Sequence, residues 1–138
     1  MATEQTPLQQ VRAALVLGDI PRAEQIARAM APSFERGRSF LEIAERSDRV
    51  GLLDEAVDAM GDVTPPWKRA ELLSTIAKVW LRIGHRDRAT ASWNKAILAA
   101  RKGEADPDPQ NSANASAALG QVAIDLAGSG ESGRALDL

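Results

Sequence analysis

The chain has 138 residues, 44% of them apolar and 26% charged, with a formal net charge of −2. That is one domain's length with enough apolar material for a core, which excludes a disordered polar tail. With no cysteine and 4% aromatic residues, disulfides and Cys-based zinc sites are ruled out, and alanine-rich helices are favoured over a β-sandwich.

Hydrophobic periodicity and helix-breaking residues predict helices over 7–17, 20–31, 34–49, 52–61, 66–83, 86–102 and 112–127. The N-terminal Met1 to Pro7 has neither the basic nor the apolar region of a secretory signal. No apolar run approaches the ~20 residues a membrane helix needs. A soluble cytoplasmic protein without a membrane segment is the expectation.

The first two predicted helices meet at Gly18, the next two at Gly51 and the following two at Gly84, each glycine 33 residues after the last. An aliphatic residue precedes each (Leu17, Val50, Ile83), and an alanine follows five positions later (Ala23, Ala56, Ala89). Backwards from the last two stand Ile43-Ala44 and Ile76-Ala77, then Phe40 and Leu73, Phe34 and Trp67, Pro32 and Pro65. Glycine tolerates the left-handed conformation that ends a helix, so all three are expected as C-terminal caps. The alanines are expected where the second helix of each pair closes on the first. Pro32 and Pro65 should open new pairs, with Ser33 and Thr64 as N-caps.

Anchored on Gly130, a fourth copy places Ala135, Val122-Ala123 and Leu119 in the same register, after an insertion. Gly103 to Ser112 is polar and turn-forming, so 103–111 is read as a loop. This gives a single 1–138 domain of repeats at about 7–31, 33–63, 66–102 and 112–138. Glu131 to Leu138 are too few for a stable second helix, so the open end is expected to continue in a longer parent or to pack, including as a homo-oligomer.

These positions resemble the tetratricopeptide repeat. The third copy fits best, with Leu73, Ile76-Ala77, Trp80, Gly84, Ala89, Trp93 and Ala96 in the family's order. The resemblance implies an all-α, right-handed solenoid of antiparallel helix hairpins with about three and a half repeats. The period of 33 where the family has 34, and prolines about three residues early, leave related hairpin repeats open. It also implies a protein or peptide partner held in a groove lined by the first helices. By position, that groove would present Arg12, then Arg38, Leu41, Glu45, Asp48 and Arg49, then Glu71, Ser74, Lys78, Leu81 and Arg82. Leu41 and Glu45 stand where the family's clamp for chaperone tails needs Lys and Asn, so that ligand is not expected.

Charge is segregated. Residues 1–67 hold seven basic and eleven acidic residues (net −4), 68–102 nine against two (net +7), and 103–138 one against six (net −5). The basic segment supports nucleic-acid binding as the alternative function, against the plainer reading of solvated helix faces. Trp67, Trp80 and Trp93 could stack bases, but Trp80 and Trp93 occupy core positions of the resemblance. His85, the only histidine, follows a turn with no nucleophile in sight, and Asp54, Glu55 and Asp58 read as a solvent-facing helix side. No enzyme, no cofactor and no metal is expected, and a binding scaffold is.

Overall fold

The computed structural model describes residues 5–47, 49–61 and 64–129, and among these every regular element is a helix. In order they are α1 (Pro7–Val16), α2 (Ile20–Ala29), α3 (Phe34–Glu45), α4 (Leu52–Ala59), α5 (Pro66–Arg82), α6 (Arg86–Glu104) and α7 (Pro109–Gly128). They fall into two compact units, Met1–Thr64 and Pro65–Leu138.

In the first unit α1 pairs with α2, α3 packs against both, and α4 packs on α3. A capping box starts α1: Thr6 Oγ1 accepts from the Gln9 amide at 3.2 Å, and Gln9 Oε1 accepts from the Thr6 amide at 2.9 Å. The helix ends at Gly18, whose φ of +76° lets the Asp19 amide reach the Ala14 carbonyl and the Gly18 amide reach that of Leu15. Ser33 caps α3 as expected, its hydroxyl accepting from the Arg36 amide at 3.1 Å. The core gathers Val11, Leu15, Phe40, Leu41, Ile43, Leu53 and Met60, and Ala23 and Ala56 are fully buried where α2 and α4 turn inward.

Two expectations fail here. Gly51 has φ −60° and serves as the right-handed N-cap of α4, because α3 stops six residues earlier, at Glu45. Past that end, the Ser47 hydroxyl bonds back to the Ile43 carbonyl at 2.7 Å, satisfying one of the orphan carbonyls that a glycine cap would otherwise serve. Thr64 does not cap α5. Its hydroxyl donates to the Met60 carbonyl at 2.9 Å, and α5 starts from Pro65 and Pro66 without a side-chain cap. The left-handed glycine of this region is Gly61, at φ +63°, where a Cβ would lie 2.7 Å from Pro32 Cβ.

In the second unit α5 pairs with α6, and α7 packs against both, the same neighbour order as α1, α2 and α3. Gly84 repeats the Gly18 turn, with φ +91° and the His85 amide bonded to the Trp80 carbonyl at 2.8 Å. Trp80 and Trp93 are 3% and 1% exposed, which removes both as stacking platforms, and Leu72, Leu73, Ile76, Val122 and Leu126 of the same unit are buried as well. Half-buried Trp67 packs against Ala70, Ala100 and Ala118.

The expected loop at 103–111 contracts to 105–108 between the helices. Gly103 is not a turn residue: it lies buried inside α6, and a Cβ there would come within 2.7 Å of Ala115 Cβ on α7. Glycine at this position lets two helices approach more closely than any side chain would allow. Asp108 then caps α7 through the Gln110 amide at 2.8 Å, so α7 begins three residues before the expected start. The fourth-copy positions Gly130 and Ala135 lie outside the described residues.

Candidate functional site

Five of the anticipated groove residues, Arg12, Arg38, Arg49, Ser74 and Lys78, fall into three clusters. In the first unit, Arg12 of α1 clamps Glu42 of α3 in a two-pronged ion pair, Nε to Oε1 at 2.9 Å and Nη2 to Oε2 at 3.0 Å. Arg38, one helical turn before Glu42, adds a bond at 3.2 Å. Burial of the Glu42 carboxylate pushes its pKa up, but the hydrogen bonds and charges of Arg12 and Arg38 outweigh this and hold it below the usual range. The Arg12 guanidinium is held more tightly protonated by its hydrogen bond to Glu42 and by the carboxylate's charge.

Arg49 does not join them. It lies beyond the end of α3 and pairs with Glu24 of α2, which also binds Arg28 at 2.8 Å. Arg28 continues to Glu55 of α4 at 2.9 Å, and its guanidinium stands 5.3 Å from the Phe40 ring centre. This second cluster borders an open depression of about 660 Å³ lined by Asp19, Pro21, Arg22, Glu24, Gln25, Arg28 and Arg49. Mutual neutralisation of its acids and bases makes it a strut between helices, not a pocket of one charge. Glu45 is exposed at the end of α3. Leu41, expected to line the groove, is fully buried in the core, because α3 turns that side toward its neighbours. Asp48 lies outside the described residues.

The third cluster crosses the second unit. The Trp93 indole N–H of α6 donates to Ser74 Oγ of α5 at 3.2 Å, and the Ser74 hydroxyl donates to Asp125 Oδ2 of α7 at 2.7 Å. Asp125 Oδ1 accepts from Gln121 Nε2 at 3.1 Å and faces Lys78 Nζ at 3.6 Å. Ser74 therefore belongs to a buried polar tie and not to an open surface. Glu71, Lys78 and Arg82 remain exposed along α5, with Leu81 half-buried between them.

Glu42 and Asp125, the acids on which two of these clusters converge, were not singled out from sequence. A signal existed for each. Glu42 stands four residues after Arg38, the spacing of a helical ion pair, and Asp125 is the only charged residue in α7.

Among the described residues no group of three or more His, Asp or Glu side chains is placed to hold a metal ion. No helix of the described residues is long and apolar enough to cross a membrane. His85 is exposed and meets the Trp80 ring edge-on at 5.3 Å between ring centres. Comparison with family models, with curated proteins and with solved structures finds no match for this chain.

Proposed function

We propose that this chain is a non-catalytic protein-binding module, a right-handed solenoid of tetratricopeptide type working as a cytoplasmic scaffold. The observation that carries the reading is the recurrence of one neighbour order in each unit: a hairpin of two helices with the next helix set against both. That order is how stacked hairpins shelter each other's apolar sides, and such arrays use their exposed helix faces for binding. The exposed Glu71, Lys78 and Arg82 on α5 supply polar contacts suited to a peptide or protein of mixed charge. Arg12 and Arg38 contribute in a more fixed way, since Glu42 already holds both.

The test is site-specific photo-crosslinking from position 82 in cell extract, followed by binding measurements with the purified captured protein. A captured partner whose binding weakens about tenfold or more on joint reversal of Lys78 and Arg82 supports the reading. Finding neither a partner nor self-association would overturn it.

A further inference from the structure

The outward side of α6 has a pattern that the groove reading does not use. Arg88, Ala91, Lys95, Leu98 and Lys102 follow one another at spacings of three and four residues, and all five are exposed. The opposite side of the helix carries buried Ala89, Trp93, Ala96 and Ala100, where α5 and α7 pack. The outer stripe therefore alternates cations with apolar side chains. Leu98, between Lys95 and Lys102, is 69% exposed, and Arg101 flanks it.

No acid interrupts the stripe. Asp87 stands before it, and Glu104 after it accepts the Ser116 hydroxyl at 2.9 Å. Among the described residues Lys95, Arg101 and Lys102 make no ion pair. In a chain of net charge −2, this is a concentrated positive face with an uncovered leucine inside it.

We propose that the outer face of α6 docks an acidic amphipathic helix of a partner protein, with carboxylates meeting the Arg88, Lys95 and Lys102 row and apolar side chains covering Leu98 and Ala91; this rests on the chain being a protein-binding module. Seven residues of helix advance about 10.5 Å, so a partner helix with acids every seventh residue matches the cation row along roughly 21 Å. A phosphate backbone would satisfy the cations but leave Leu98 without a mate. It would also find no aromatic ring on this face to stack on, since Trp93 is enclosed in the core. Only an occupant with both carboxylates and apolar groups uses every position of the stripe.

The test uses the full chain and a labelled peptide of about three heptads, with Glu at the cation-facing positions and Leu between them. Comparison arms are the same peptide with Lys for Glu, a short RNA duplex, and vesicles containing phosphatidylserine. The acidic peptide should bind, and the Lys peptide should not. Joint Lys95→Glu and Lys102→Glu substitution should weaken binding at least about tenfold. Leu98→Ser, which leaves the charge unchanged, should weaken it about threefold to tenfold, with circular dichroism verifying that both variants keep their helices.

Absence of peptide binding at low salt would overturn the proposal. So would indifference to Leu98→Ser, or RNA or vesicle binding with the same lysine dependence and greater strength. Photo-crosslinking separates this inference from the broader one: capture from position 82 but not from position 98 sinks the α6 site alone, and capture from neither sinks both.

Discussion

Ser74 and Asp125 share a hydrogen bond of 2.7 Å between α5 and α7, and the Ser74 oxygen simultaneously accepts the indole proton of Trp93. One small hydroxyl thus joins three helices inside the core of the second unit. Ser74→Ala should destabilise the chain by about 1–3 kcal/mol, because the buried Trp93 donor loses the Ser74 oxygen while Asp125 keeps Gln121 and Lys78. Urea unfolding followed by tryptophan fluorescence measures this. A loss below about 0.5 kcal/mol would mean that the tie contributes little net free energy.

Gly103 and Gly120 make a contrasting pair. Both lie within helices, where alanine is intrinsically better by roughly 0.5–1 kcal/mol. A methyl group at position 103 would press on Ala115 Cβ at 2.7 Å, whereas one at 120 would meet nothing within 4 Å. Gly103→Ala should therefore destabilise, overpacking of about 1–3 kcal/mol outweighing the propensity gain. Gly120→Ala should stabilise by about 0.5–1 kcal/mol. Parallel thermal melts read the opposite signs directly.

The contrast also marks what could be read from the sequence. Gly18 and Gly84 act as the spacing implied, because a left-handed residue after an amphipathic run has few uses besides ending a helix. Gly51 shares their register but not their backbone, since the Ser47 hydroxyl bonds back into the last turn of α3 and relieves the need for a glycine cap. Gly103 looked like part of a loop because its neighbours are polar. Its role comes from Ala115, twelve positions away on another helix, and no local pattern encodes that. The burial of Ala23, Ala56 and Ala89 was legible from the repeat spacing, and that of Trp80 and Trp93 from the core positions that the resemblance implies. Which exposed charges pair was not, because Arg12 finds Glu42 across thirty residues through the packing of α3 on α1.

Glu42 predicts a pH dependence of defined sign. Its folded-state pKa lies below the ordinary 4.5, so its contribution is fully present above that value and is lost as pH falls through the depressed folded value. The protein should lose stability on acidification below about pH 4.5, and Glu42→Gln should remove that part of the loss. At neutral pH the substitution should cost about 1 kcal/mol, a modest figure because Arg12 is half-exposed. Urea midpoints of both proteins between pH 7 and pH 3 should converge at the acid end. Parallel curves would exclude Glu42 as the titrating group.

Arg12 and Lys78 occupy the same register, each six residues before its hairpin glycine, Gly18 or Gly84. Each reaches across to an acid on the next helix but one, Glu42 or Asp125. The two ties differ in quality. Arg12 makes two short parallel bonds, while Lys78, 51% exposed, stands 3.6 Å from its partner. Double-mutant cycles should give a coupling of about 0.5–1 kcal/mol for Arg12 with Glu42 and less than about 0.5 kcal/mol for Lys78 with Asp125. Asp125→Ala alone should nevertheless cost more than Lys78→Ala, since it also strips the acceptor from the Ser74 hydroxyl in the core. If the two single losses were equal, Asp125 would be acting through the lysine, and its bond from the Ser74 hydroxyl would be energetically idle.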